Sequence, residues 1–241
     1  MLNDSKEGKK IKKGGRNMKK EKLVKEMYEV RPIPFEYARD WCLKRHYAKR
    51  VPQILQAYGL YTQSGMLVGC CTFGLPPNYV EVEAWKPFEL WELNRLIVQE
   101  GLPRNTTSFF VSQCLKQIEK PKVIISYADL EWGHYGYIYQ ATNWVFTGIS
   151  GKGQNVYITK NGREVHQRHV SPERRERMFE KGVFVGVKKT QGKARYYYFC
   201  ADKKTKQRML QMLRFPILPY PKGDPKRYDS DPKKTSQFQF F

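Results

Sequence analysis

From residue 27 onward the apolar positions switch repeatedly between a helical and an extended period. Phe35, Ala38, Trp41 and Cys42 recur at helical spacing in PFEYARDWCLKRHYA, which predicts a helix over 34–48. The next stretch, QAYGLYTQSGMLVGCCTFG, reads as strand, glycine-containing turn and strand over 56–74. FELWELNRLIV, 88–98, has the aromatic and β-branched texture of another strand. NTTSFFVSQCLKQIEK opens on capping residues and continues with Phe109, Val111, Cys114, Leu115 and Ile118 at helical spacing. KVIISYAD, 122–129, is almost wholly apolar, the pattern of a strand covered on both faces.

Beyond it, HYGYIYQATN suits one short helix and WVFTGI a strand. NVYITKNGREV places Asn161-Gly162 between alternating arms, a hairpin signal. SPERRERMFEKG is a helix with Ser171 as N-cap, Pro172 in its first turn and Gly182 past its end. VFVGVKKTQGKARYYYFC reads as a second hairpin, and DKKTKQRMLQMLRF as a basic helix. The sum is an α/β protein with further β-rich elements towards its end.

The ends differ. Residues 1–26 are Lys-rich and poor in apolar residues, so they read as a disordered basic arm, and 216–241 are proline-broken and polar, a flexible tail. Between them lies one domain, 27–215, with a basic, β-rich extension over 149–215. Lys and Arg number 44 against 23 Asp and Glu, a net charge of +21 that points to a polyanionic partner, nucleic acid before membrane. Sixteen tyrosines fit that reading, because rings among cations stack on unpaired bases. Five cysteines without a CxxC pair suggest neither a disulfide framework nor a zinc site. No apolar leader or run of membrane-spanning length is visible, so a soluble cytoplasmic protein is expected.

The chemistry concentrates in three places. LPRNTTSFF follows a strand and opens a helix, where free N–H groups favour an anion. Arg104 brings charge, and Asn105, Thr106, Thr107 and Ser108 bring polar groups that either bind a cofactor pyrophosphate or simply cap the helix. Asp129 stands at the carboxyl end of a buried strand, where open α/β sheets place ligands. It suits a general base, a metal ligand or a turn cap. His134 follows it between glycines. Arg45, Lys49 and Arg50 around His46 and Tyr47 form either a solvated face or a phosphate strip.

WELNRL, PRNTTSF, SYADLEWGHYGYIYQATNW and RHYAKRVP together resemble the phage Mom-type DNA adenine modification proteins, over roughly 46–148. The resemblance implies a GNAT-like (Gcn5-related N-acetyltransferase) domain, a central mixed sheet flanked by helices, with the C-terminal hairpins and helices as additions. It implies conversion of adenine N6 in double-stranded DNA to N6-carbamoylmethyladenine, protecting the DNA from restriction inside an infected bacterium. Acetyl-CoA or another acyl-CoA is the implied donor and iron the implied metal. Asp129, Tyr139, Tyr47 and Ser108 match catalytic positions, and Arg104 to Ser108 the cofactor loop, which here lacks its usual glycine. His46, Tyr47 and Asp129 would be the iron ligands.

A flipped adenine would stack on Tyr135, Tyr137, Trp132 and Trp144, beside His134. Arg45, Lys49, Arg50, Lys188 and Lys189, with the N-terminal arm, would hold phosphates. The oligomeric state stays open, a homodimer included. Two other classes compete: a GNAT-fold acyltransferase acting on RNA, protein or a small-molecule amine, and a non-catalytic nucleic-acid binder.

Overall fold

The computed structural model describes residues 24–223. Residues 1–23 of the basic arm and 224–241 of the tail lie outside them. The last residues assigned to the arm are helical: α1 (Val24–Met27) runs into β1 (Tyr28–Pro32), because Val24 and Met27 have apolar side chains that pack on the core.

α2 (Phe35–Lys44), β2 (Gln56–Thr62) and β3 (Leu67–Gly74) follow, with Gly65 supplying the positive φ of the β2–β3 turn. A short helix, α3 (Tyr79–Ala84), precedes β4 (Glu89–Val98) and has no counterpart in the sequence reading. Next come α4 (Thr106–Gln117), β5 (Lys122–Asp129), α5 (Tyr137–Ala141) and β6 (Val145–Ser150). The last part holds β7 (Asn155–Thr159), β8 (Glu164–His166), α6 (Pro172–Glu180), β9 (Phe184–Lys189), β10 (Lys193–Cys200) and α7 (Lys203–Met212).

The described residues form a seven-stranded sheet in the order β1-β2-β3-β4-β5-β10-β6 and a three-stranded sheet β8-β7-β9. The large sheet is mixed: β4 and β5 run parallel, and its other neighbours are antiparallel. Helices cover both faces, the α/β architecture expected. β5 shows why. Ile124 and Ala128 face a core shared with Phe110, Val111, Cys114 and Leu115 of α4, whereas Val123 and Ile125 face Trp85 and Met209 on the other side. Alternate side chains of one strand thus enter two cores, each fully buried one contributing about 1.5–3 kcal/mol. α2 closes a third cluster with Ala38, Trp41 and Cys42 against Ala57, Cys70 and Ile97. The five cysteines are buried and unpaired.

One expectation fails. VFVGVKKTQGKARYYYFC holds two strands but is not a hairpin: β9 pairs with β7, and β10 inserts between β5 and β6. The burial patterns give the reason. β10 buries Ala194, Tyr196, Tyr197, Phe199 and Cys200 on both faces and suits the middle of a large sheet, whereas β9 buries only Phe184. The Asn161-Gly162 hairpin and the Ser171 cap, which accepts from the Arg174 N–H, are as expected.

Residues 216–223 form no element beyond an isolated bridge between Leu218 and Phe146, yet they are held against α5. Tyr220 donates to the Trp144 carbonyl at 2.6 Å, and Gln140 donates to the Pro221 carbonyl at 3.3 Å. No helix among the described residues is long and apolar enough to cross a membrane.

Candidate active site

The parallel strands at the centre of the sheet fork. β4 and β5 pair from Glu89–Lys122 to Glu92–Ile125 and then part. Beyond that point β4 pairs only with β3, and β5 only with β10, as far as Asp129 opposite Lys193. Ser126 sits in the crotch. Its Oγ lies 2.8 Å from the Leu93 carbonyl and 2.7 Å from the Tyr139 hydroxyl. A hydroxyl has one proton and a carbonyl can only accept, so Ser126 donates across the fork to Leu93 and Tyr139 donates to Ser126. The gap past this bridge is a cavity of about 550 Å³, walled by both strands and by residues 133–139.

A β-bulge aims one wall. The β3–β4 register slips between Phe73–Leu93 and Thr72–Arg95, leaving Asn94 as the extra residue. Asn94 is pinned by Thr72 and by its own bond to the Gln53 carbonyl at 2.8 Å. Arg95 is thereby turned onto the cavity wall. Its guanidinium donates to the carbonyls of Asn94 and Arg50, its Nε has no partner, and it makes no ion pair among the described residues. A half-buried guanidinium with no ion pair among the described residues is able to receive an anion.

Glu92, at the last paired register position, also lines the cavity. Burial raises its pKa from the ordinary 4.5 to about 7, against opposition from Arg95 and Lys193. Such a carboxyl accepts a proton readily near neutrality. Asp129 is differently placed. One of its oxygens accepts from the Glu131 N–H at 3.2 Å and the other is 3.2 Å from the Lys193 ammonium. It therefore does cap the turn after β5, as one reading of the sequence had it, while lining the cavity.

Rings build the rim. His46 and Tyr47 lie with centroids 4.2 Å apart, and Tyr47 meets Trp132 at 5.3 Å and His134 edge-on at 6.5 Å. Trp132 is 38% exposed, as a stacking platform requires. Burial, and then the nearby cations led by Arg95, push the pKa of His46 down to about 3, so its ring is neutral. Burial also lowers that of His134, with Asp129 opposing. Trp144 belongs elsewhere. It is fully buried between Tyr139 and Tyr198 and cannot stack on a base. Its place following a turn made it look like a rim residue, but α5 folds it inwards.

The cofactor loop supplies a fit by a different residue than glycine. Asn105 adopts φ 70°, the left-handed conformation that Asn tolerates better than most residues. This turn starts the 12-residue α4 with no side-chain cap on its first N–H groups, beside the cavity. Thr107 lines the cavity. Thr106 does not: it is buried and donates to the Pro103 carbonyl at 2.7 Å. Ser108 donates back to Asn105 at 3.0 Å, and Arg104 is exposed. An anionic pyrophosphate fits the uncapped α4 N-terminus and the unpaired Arg95 together.

The iron set does not fit. The Ala48 N–H donates to His46 Nδ1 at 3.0 Å, so the neutral ring carries its proton on Nε2. A ligating imidazole needs a lone pair at one nitrogen and a proton at the other, the pattern opposite to this one if Nε2 is the ligand. Both oxygens of Asp129 are engaged, and no group of three His, Cys, Asp or Glu is disposed to hold a metal among the described residues.

The remaining predicted contacts scatter. Arg45 lines the cavity and lies over the Trp41 ring at 4.5 Å. Lys49 donates to the Lys44 carbonyl, and Arg50 is exposed nearby. Tyr135 and Tyr137 border the cavity on the α5 side, with Tyr137 hydrogen-bonded to Gly223. Lys188 is paired with Glu164 at 2.8 Å, and Lys189 is exposed. Glu92, Arg95, Ser126 and Lys193 were not singled out in the sequence. Only the bulge and the fork reveal them.

Residues 27–222 match the family described as the Mom protein family. The methylcarbamoylase Mom of Escherichia phage Mu is 29% identical over 139 residues, which are 54% of this chain and 56% of that protein. The chain thus spans about half the length of this curated relative. Among solved structures, a GNAT-family acetyltransferase from Bacillus cereus is 14% identical, covering 72% of this chain and 97% of that one with a TM-score of 0.38. A spermidine N-acetyltransferase from Vibrio cholerae, solved with CoA and spermine, is 8% identical, covering 72% and 95% with a TM-score of 0.41.

Proposed function

Because the chain belongs to the Mom protein family, we propose that it is a transferase modifying adenine N6 in duplex DNA to N6-carbamoylmethyladenine, shielding that DNA from restriction. The observation that carries this reading is the cavity at the β4–β5 fork, where a proton-accepting carboxyl, an unpaired guanidinium and a rim of rings meet. The relative's name, methylcarbamoylase, supports the group transferred.

A coenzyme A-type donor, when bound, would supply the carbon that N6 attacks. A plain acyl thioester would leave an N6-acyl amide, so the donor must already carry the CH2–CONH2 group, and the bond broken is the one from that CH2 to its leaving group. Arg95, Thr107 and the α4 N-terminus would hold the donor's pyrophosphate. The adenine, extruded from the duplex, stacks on the Trp132–Tyr47 rim. Its N6 lone pair is delocalised into the ring, so bond formation needs the N6 proton removed as the new N–C bond forms. Glu92 takes that proton. Asp129, fixed by Lys193 and the Glu131 amide, accepts the second N6–H and aims the amine. Tyr139 stays protonated, its pKa raised by burial, and donates to Ser126. Tyr139 is the proposed source of the proton for the leaving atom, its hydroxyl turning from Ser126 as that atom departs. None of these roles uses a metal.

Tyr139→Phe keeps the ring that packs on Trp144 and Tyr196 and removes only the hydroxyl. Adduct formation is expected to fall by about 10²-fold or more, with a stability change of only about 1 kcal/mol. Parallel urea melts and adduct counts check both; an unchanged rate would remove Tyr139 from the chemistry.

The test of the reading as a whole is mass spectrometry of nucleosides digested from plasmid DNA after expression of the protein, beside Glu92→Gln and Asp129→Asn. A deoxyadenosine heavier by a carbamoylmethyl group, lost in the variants, is expected. Unmodified DNA from folded protein would move the substrate to RNA, protein or a small amine.

A further inference from the structure

The three-stranded sheet and α6 form a unit of their own beyond β6, and this unit has a concave face of about 810 Å³. Lys160, Arg163, Arg174 and Lys181 line it, over a floor that includes Val165, Met178 and Phe184. No aspartate or glutamate is among the lining residues. Nor do those four cations make any ion pair among the described residues, whereas other cations of the same unit do: Lys188 with Glu164 and Arg175 with Glu176. Four unpaired, exposed cations converge on one hollow while the unit's carboxylates are kept out of it.

The hollow is rigidly built. The Asn161-Gly162 turn is closed by Thr159, which bonds Asn161 and the Arg163 carbonyl, and Lys160 N–H bonds the Val183 carbonyl to seal the turn onto the α6–β9 corner. Behind it Tyr157, Phe179 and Phe184 pack ring on ring. The unit also hangs from the rim of the fork cavity. Leu130 N–H bonds the Gly192 carbonyl, the Gln191 N–H bonds the Glu131 carboxylate at 2.7 Å, and Lys193 pairs with Asp129. The strand that leaves this unit therefore enters the site directly.

We propose that this basic hollow is a phosphate clamp for duplex DNA, holding the sugar–phosphate backbone beside the cavity that receives the extruded base. The proposal rests on the reading of the fork cavity as a DNA-modifying site. Its chemistry is that of phosphate contacts, which position a duplex without reading its sequence. An amphipathic hollow with converging cations and no carboxylate suits a polyanion that lies across it. Duplex DNA is favoured over RNA because the site it adjoins takes its base from a duplex.

The test is fluorescence anisotropy of the full chain on a labelled DNA duplex over a range of KCl. One variant removes all four cations (Lys160→Ala, Arg163→Ala, Arg174→Ala, Lys181→Ala). A second removes four from α7 (Lys203→Ala, Lys204→Ala, Lys206→Ala, Arg208→Ala), so that both lose equal charge. Each phosphate contact contributes about 0.9 to the slope of log affinity against log salt. The hollow variant should lose about 2 to 4 from that slope and the α7 variant less than 1, for scrambled sequences alike. Equal losses in both would show a diffuse field and overturn the clamp. So would a loss confined to single-stranded or duplex RNA competitors. Wild-type protein that binds DNA through the hollow yet never leaves an adduct would leave the clamp standing and overturn the enzymatic reading alone.

Discussion

Glu92→Gln is expected to cut adduct formation by about 10²–10⁴-fold, the range associated with removing a positioned general base. Glu92 sits where β4 leaves β5, deep enough that its pKa lies near 7 instead of 4.5. Among the described residues, no donor hydrogen-bonds its carboxyl in the way that Lys193 and Glu131 hold Asp129. The wild-type rate should therefore climb as pH rises through about 7, when the carboxylate forms. The variant should show a low rate without that climb. Rates measured on oligonucleotide duplexes between pH 5.5 and 8.5 decide it, and a Gln variant that retains the wild-type profile would assign the base elsewhere.

The same residue carries a stability consequence of opposite sign. A carboxyl whose folded pKa is raised binds its proton more tightly in the folded state. The stability it contributes is fully present below 4.5 and is lost as pH rises through about 7. Glu92→Gln removes that loss, so at pH 8 the variant should be more stable than wild type, by at most about 3 kcal/mol, with little difference near pH 4.5. Urea midpoints at the two pH values measure this. A substitution that disables the enzyme while stabilising it is the pattern of a functional group held in a costly place.

How much of this the sequence shows depends on whether a property is local. β5 is legible because eight consecutive residues carry the pattern of a strand covered on both faces, and Ser171 and Asp202 cap their helices by bonds within three residues. Asp129 is legible for the same reason, standing at the end of such a strand. Glu92 and Arg95 are not. Both lie inside ELWELNRLIV, where a charged residue on a strand reads as solvent-facing. What turns them to the cavity is a bulge at Asn94, fixed by contacts with Thr72 and Gln53. Likewise, β10 was read as the partner of its neighbour in sequence, because pairing across the sheet with β5 leaves no local mark. Trp144 misled for the converse reason: an aromatic among tyrosines looks like a platform until α5 determines which rings face out. The unpaired cations of the hollow are visible as residues, but only folding separates them from Glu164, Glu173 and Glu180.

Gly136→Ala is expected to cost about 2–5 kcal/mol and to abolish modification at temperatures where the wild type is fully active. Gly136 starts α5 with φ 76°, a conformation that costs an alanine about 1–2 kcal/mol. The added methyl would also strike the ring of Tyr196. That ring cannot retreat: it is fully buried, packs against Tyr139 and Phe146, and is tied through its hydroxyl to the Tyr135 carbonyl at 2.5 Å. Overpacking of this kind adds about 1–3 kcal/mol. Because Tyr139 is three residues along the same helix, relief of the clash must move its hydroxyl from Ser126, and with it the bridge across the fork. Gly65→Ala is the control. Its φ is 81°, but nothing lies within 4 Å of the position its Cβ would take, so it bears the backbone cost alone. The urea midpoint of Gly136→Ala should fall well below that of Gly65→Ala, and only the former should lose activity. Equal midpoints would mean that α5 can shift freely, and the close fit of this helix to β10 could not then be what positions Tyr139.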